Sequence, residues 1–139
     1  MQDRFLIDKS ALARWTKPAV KQVLKPLHDR YLLAVCPPTE YEMIHSARDG
    51  SEATRISTWL HAFDYLHVTD DIFTRALEVQ RHALNAGFHH ALSLPDLLIA
   101  ATAELNRLTV LHYDGDFDMI ASVTGQPSQW VVAPGSADR

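Results

Sequence analysis

Short apolar runs alternate along the chain with segments whose hydrophobic residues recur at helical spacing. Residues 5–8 are an apolar run ending in Asp8, and residues 9–15 then switch to helix formers, as a strand feeding a helix does. Residues 18–27 place Val20, Val23, Leu24 and Leu27 on one helical face, with Lys17, Lys21 and Lys25 spaced along another. Residues 31–36 read as a buried strand stopped by Pro37 and Pro38. Thr39 and Glu42 have capping-box spacing and predict a helix through Met43 and Ala47 that ends near Gly50; Ser51 opens the next, through Leu60. A short strand is predicted at 65–68, and Thr69, Asp70 and Asp71 supply the polar start of a helix that Gly87 terminates. Ser93 and Asp96 repeat the capping-box spacing, with Pro95 in the first turn ahead of the apolar run 97–101. Residues 108–111 and 129–133 predict the last strands, either side of a turn at 113–116 and a short helix at 117–121.

This alternation predicts an α/β fold with a mainly parallel central sheet of about five strands, covered by helices on both faces. At 139 residues and 47% hydrophobic, the chain suits a single domain, assigned here to residues 1–133, followed by a polar tail at 134–139. The lone cysteine, Cys36, excludes an intramolecular disulfide and a multi-cysteine zinc site, and it favours the cytoplasm. The charged, interrupted N-terminus does not read as an export signal, and no apolar run approaches the roughly 20 residues of a membrane span. The net charge of −4 is uneven: residues 1–30 hold seven basic groups against three acids. A locally basic surface can follow phosphates whatever the total charge, so nucleic acid is not excluded.

Six acids could carry chemistry: Asp8, Glu42, Asp96, Asp114, Asp116 and Asp118. Helix N-termini favour anions, so Glu42 and Asp96 also fit as capping-box partners and Asp118 as a solvated first-turn residue. In a parallel sheet, however, Asp8 and Asp114 or Asp116 follow strands directly and share the carboxyl edge, where ligands bind. Acids gathered there repel unless a proton or a cation lies between them, and a hard divalent ion with oxygen ligands is the natural solution. The residues alone thus reach a candidate metal site, and they leave open whether Asp114 or Asp116 faces it.

At these positions the chain resembles the PIN-domain family, specifically VapC-like toxins of toxin–antitoxin pairs. Phe5-Leu6-Ile7-Asp8-Lys9-Ser10-Ala11-Leu12 looks like the family's opening strand, acid and hydroxyl residue, and Glu42 in Glu42-Met43-Ile44-His45-Ser46-Ala47-Arg48 matches its second acid. Leu94-Pro95-Asp96-Leu97-Leu98-Ile99-Ala100-Ala101-Thr102-Ala103 is the most specific match, and Val110-Leu111-His112-Tyr113-Asp114-Gly115-Asp116-Phe117 resembles the C-terminal acidic motif. The resemblance implies a three-layer α/β/α fold and an endoribonuclease dependent on Mg²⁺, or Mn²⁺ as a substitute, that hydrolyses RNA with a metal-activated water. It also implies a homodimer and a cognate VapB-like antitoxin. By position, Asp8, Asp96 and Asp116 would be metal ligands, Glu42 and Asp114 would complete the catalytic acids, and Ser10 would orient Asp8. Lys9 departs from the small residue usual in the family.

Lys9, Arg14, Lys17 and Lys21 are candidate RNA-phosphate contacts, and equally an ordinary solvated face. His89 and His90 read as loop residues rather than acid–base groups, His112 as a strand residue, and Trp15, Trp59 and Trp130 as core or interface anchors. Cys36 reads as a small buried residue. Two other functions stay open: a phosphohydrolase or phosphotransfer domain using Asp8 as nucleophile, although Asp8-Lys9-Ser10 lacks the second aspartate of the haloacid-dehalogenase opening, and a non-catalytic nucleic-acid or protein-binding module whose acids are caps.

Overall fold

The computed structural model describes residues 3–88 and 92–138; His89 and His90 lie outside them. Its five strands are β1 (Phe5–Ile7), β2 (Leu33–Val35), β3 (Asp64–Tyr65), β4 (Thr109–His112) and β5 (Ser128–Trp130). They form one sheet in the order β3-β2-β1-β4-β5. Every pairing is parallel, with Ile7 opposite Leu111 in the central pair. Each strand that is buried on both faces reads as a continuous apolar run, which is why three residues sufficed to mark β1 and β2.

Side chains alternate across the sheet and build a core on each face. Leu6, Ala34 and Val110 point into one, packed against Ile72, Ala76 and Val79 of α5 (Asp70–Asn85), Ile99 and Ala103 of α6 (Leu94–Leu105), and Phe117 and Ile120 of α7 (Asp116–Thr124). Phe5, Ile7, Leu33, Val35 and Leu111 point into the other, against α1 (Lys9–Leu12), α2 (Pro18–Asp29) and the end of α4 (Gly50–Leu60). This is the expected three-layer α/β/α arrangement. Trp15 and Trp59 pack edge to face, 5.4 Å apart, on the rim of the second core. Among the described residues no helix is long and apolar enough to cross a membrane.

Several boundaries differ from expectation, each for a local reason. The third helix, α3 (Pro37–His45), starts two residues before Thr39: Cys36 is its N-cap, and Pro37 and Pro38 occupy the first turn. Proline has no N–H to orphan there and a φ already suited to a helix. Thr39 is consequently a buried first-turn residue rather than a cap, and Glu42 has no capping duty. The same helix stops at His45, and Asp49, not Ser51, caps α4 by accepting the Glu52 N–H at 2.8 Å. Gly87, at φ +87°, terminates α5 as predicted. Residues 133–136 turn at Gly135 (φ +83°) and bring Ala137 back into the second core, 4% exposed, so the polar tail is docked on the domain as far as residue 138.

Candidate metal centre

The chain reverses direction across β1: β2 and β3 build outward on one side, β4 and β5 on the other. The carboxyl ends of β1 and β4 therefore flank a topological switch point, where an open parallel sheet leaves a crevice. Asp8 leaves β1 there and Asp114 follows two residues after the end of β4. Asp116 opens α7, Asp96 lies in the first turn of α6, and Glu42 projects from α3.

Asp8 is 3% exposed and is the N-cap of α1; its Oδ2 accepts the Ser10 N–H at 2.9 Å. Its Oδ1 is buried and has no hydrogen-bond partner among the described residues, and the same is true of Glu42 Oε1. Asp96 is 6% exposed, held by Ser93, whose hydroxyl accepts the Asp96 N–H at 3.3 Å. One carboxylate oxygen each from Asp96, Asp114 and Asp116 lies within 4.8 Å of the others. The tight group is thus Asp96, Asp114 and Asp116 rather than Asp8, Asp96 and Asp116. Asp8 is anchored as a helix cap and borders the group, close enough that its charge bears on Asp96 and Glu42. Both aspartates of the last motif face the cluster, with Asp114 Oδ1 also accepting the Asp116 N–H at 2.9 Å.

The electrostatics follow from this crowding. Burial pushes the Asp8 carboxyl up, the charge of Asp114 adds to it, and the Ser10 hydrogen bonds oppose it. Burial and the charge of Asp8 raise Glu42, with Lys9 pulling the other way. Asp96 is raised by burial, by the charge of Asp8 and by its neighbour Asp116; burial and the charge of Asp114 raise Asp116 in turn, against the opposite pull of Asp96. Four acids held above their ordinary values, two of them with an oxygen buried and unbonded, are short of positive charge. Cations with hard oxygen preference fit this donor set, since it holds neither thiolate nor imidazole.

Other candidates sort cleanly. His112 is fully buried; its Nδ1 accepts the Asp114 N–H at 3.1 Å, and burial holds its pKa down at about 4, so it is a neutral prop for the Asp114 turn. Burial pushes the Cys36 thiol up to about 12, which suits an inert core residue. Lys9 reaches from beside Glu42 to Ser46 Oγ at 3.2 Å. Lys17 and Lys21 lie along the edge of α2 in no ion pair among the described residues, whereas Lys25 pairs with Asp29 at 3.0 Å. Arg14 leaves this basic edge: its Nη1 donates to Ser10 O at 2.7 Å, its Nε to Ala137 O at 2.8 Å, and its guanidinium sits 4.4 Å above the Tyr113 ring. Its described contacts are all with the protein itself.

Glu40 carried no signal in the sequence. Its carboxylate accepts from Ser57 Oγ at 2.7 Å and Tyr65 OH at 2.7 Å and pairs with His61 Nε2 at 3.0 Å, pinning α3 to α4 and β3 on the side away from Glu42. Beside the acids, an apolar groove of about 480 Å³ runs between α3 and α6, lined by Pro37, Tyr41, Phe73, Leu94 and Pro95 among others.

Residues 5–123 match the PIN domain family. The chain belongs to the PIN-domain family. It is 44% identical over 138 residues to ribonuclease VapC21 of Mycobacterium tuberculosis, covering 99% of this chain and 100% of that one. Ribonuclease VapC51 of the same organism is 43% identical over 135 residues, covering 97% and 98%. Among solved structures, DNA-bound VapBC from Salmonella typhimurium superposes with a TM-score of 0.73 at 13% identity, covering 94% of this chain and 100% of that one. At that identity the likeness speaks to the fold, and it places this PIN domain within the three-layer architecture described above.

Proposed function

We propose that this PIN domain is a divalent-metal-dependent endoribonuclease, the toxin of a toxin–antitoxin pair whose other member is a VapB-like antitoxin. The observation that carries this reading is the acidic cluster, with Asp8 Oδ1 and Glu42 Oε1 buried and unpartnered, in a chain 44% identical along its whole length to a protein named ribonuclease VapC21. Asp96, Asp114 and Asp116 would hold Mg²⁺ or Mn²⁺, with Asp8 and Glu42 supplying the two free oxygens. When bound, such an ion supplies Lewis acidity that lowers the pKa of a water and stabilises charge on a phosphodiester.

The protein's own part is orientation and proton management. Ser10 fixes the rotamer of Asp8 through its backbone N–H, and the α6 N-terminus fixes Asp96. Burial holds the carboxyls of Asp96 and Asp116 above their ordinary values, and a cation bound among them would bring them down and release protons. Lys9, beside Glu42, and Lys17 and Lys21, along α2, offer positive charge for the RNA backbone. An antitoxin lying in the apolar groove would also cover the acids, because Tyr41 adjoins Glu42 and Pro95 adjoins Asp96.

The test is cleavage of labelled single-stranded and structured RNAs by purified, antitoxin-free protein in Mg²⁺, Mn²⁺ or EDTA, with Asp114→Asn as a folded comparison. Cutting that needs metal and is lost in the variant is expected. Equal behaviour of variant and wild type would remove the support for a metallonuclease and favour the binding-module reading if both are inert.

A further inference from the structure

The two strand ends that carry acids are joined directly behind the cluster. Ser10, two residues after Asp8, accepts the N–H of Tyr113, the residue before Asp114, at 2.8 Å. On the far side of that bond the chain's last segment is strapped down. The Tyr113 hydroxyl donates to Asp138 Oδ1 at 2.6 Å and accepts the Ala137 N–H at 2.9 Å. Arg14 closes the circuit by donating to the carbonyls of both Ser10 and Ala137 while stacking on the Tyr113 ring. The residues are well packed: Tyr113 is 8% exposed and Ala137 4%.

We propose that Arg14 and Tyr113 are positioning residues, which use the strap 134–138 to hold the ends of β1 and β4, and so Asp8 and Asp114, at a fixed separation. The β1–β4 ladder, which ends in the Asp8 N–H to Leu111 carbonyl bond at 2.9 Å, holds the strands themselves; beyond it the acids repel, and a restraint outside the cluster keeps the turns that carry them convergent. Arg14 suits this because a planar fork can serve two carbonyls and a ring face together, which lysine cannot. The short helix α1 makes the restraint necessary: one turn of helix has little rigidity of its own, and its Ser10 carbonyl is capped by the guanidinium.

The kinetic arm of the test rests on the proposed ribonuclease function; the metal-affinity arm does not. Tyr113→Phe deletes both hydroxyl bonds but keeps the ring and the N–H to Ser10, and Arg14→Gln removes the fork and the charge. Mn²⁺ affinity of the antitoxin-free protein is measured by calorimetry, and kcat and KM on RNA at a temperature where every variant is fully folded. Tyr113→Phe should weaken Mn²⁺ about 10-fold, the lower end for residues that orient metal ligands, and lower kcat with KM nearly unchanged. Arg14→Gln should leave the salt dependence of RNA binding as in wild type, whereas loss of a phosphate contact would reduce the log–log slope by about 0.7. A role confined to stability lowers Tm yet leaves the Mn²⁺ affinity of folded protein unchanged, and that result in Tyr113→Phe overturns the proposal even if Arg14→Gln does not fold. A reduced salt slope with wild-type Mn²⁺ affinity in Arg14→Gln overturns it too, as does wild-type protein that binds no Mn²⁺. Protein that binds Mn²⁺ without cutting RNA would refute the ribonuclease reading, while the affinities of the variants still decide this one.

Discussion

Replacing Asp96 with Asn separates the two consequences of packing acids together, because it should strengthen the fold while abolishing the chemistry. One oxygen of Asp96 lies within 4.8 Å of one from Asp114 and one from Asp116. At that distance two unit charges repel by about 0.9 kcal/mol in bulk water and about 3.5 kcal/mol at an effective dielectric of about 20. With two such neighbours, Asn removes about 2 to 7 kcal/mol of repulsion, and because Asp96, raised to about 8, is only partly ionised near neutrality, the gain lies toward the lower figure. The sign with pH is fixed by the raised carboxyls of Asp8, Glu42, Asp96 and Asp116. Acids raised in the folded state favour folding below their unfolded pKa, and that contribution is lost as pH rises through the folded values. Buried His112, held down at about 4, works the other way by favouring folding as the pH rises to about 6.5, but it is common to both proteins; in EDTA the advantage of Asp96→Asn over wild type should therefore grow from pH 5 to pH 8, to about 2 kcal/mol. Mn²⁺ at 100 times its Kd should return about 2.7 kcal/mol to wild type and far less to the variant. Urea unfolding followed by tryptophan fluorescence at both pH values, in EDTA and in Mn²⁺, measures all of these differences. A variant no more stable than wild type at pH 8 in EDTA would refute the repulsion on which the metal reading depends.

Glu40→Gln should destabilise the protein by about 1–2 kcal/mol in thermal or urea unfolding, since it weakens a hydrogen-bonded acceptor shared by three elements. Burial pushes the Glu40 carboxyl up, but Tyr65, Ser57 and His61 outweigh it and hold it below its ordinary value, so its contribution should be present above pH 5 and fade as the solution is acidified. Tyr31 sits at φ +56° and is 77% exposed; Tyr31→Gly should stabilise by about 0.5–1 kcal/mol in urea unfolding by relieving the left-handed backbone. Ile99→Ala, in the fully buried face of α6, should cost about 2–5 kcal/mol by the same assay. Lys17→Gln and Lys21→Gln should each lower the salt slope of single-stranded RNA binding by about 0.7 and leave kcat intact.

The sheet was legible because burial on both faces leaves an uninterrupted apolar run, so β1, β2 and β4 announce themselves, and the acids that follow β1 and β4 could be placed on one edge by topology alone. What the pattern misassigned depended on neighbours it cannot show. Thr39 and Glu42 mimic a capping box, yet the prolines before them start the helix earlier and leave Glu42 free to face Asp8. Arg14 shares its spacing with Lys17, Lys21 and Lys25, but α1 ends at Leu12 and α2 begins at Pro18, so the helical face that would align them is broken. Glu40 looks like any solvated acid until α4 and β3 bring Ser57, His61 and Tyr65 to it. Residues 134–138 are mostly small or polar, and it is the Tyr113 hydroxyl, the Arg14 fork and the burial of Ala137, none of them visible in the pattern, that dock them.

Raised carboxyls and orphaned oxygens are two expressions of one deficit, and that ties metal affinity to pH. Asp8 Oδ1 and Glu42 Oε1 have no donor among the described residues, and burial raises Asp96 and Asp116 beside them. Whatever fills the centre, proton or divalent cation, competes for the same oxygens, and each proton bound removes a ligand. Because burial raises these acids, Asp96 to about 8, Mn²⁺ affinity should begin to fall near neutrality and not only below pH 4. Calorimetry across pH 5–8 should find protons released on Mn²⁺ binding, in a number that rises as the pH is lowered. Binding without proton release anywhere in that interval would mean that the acids are already ionised, and that the cluster is more open to solvent than its burial indicates.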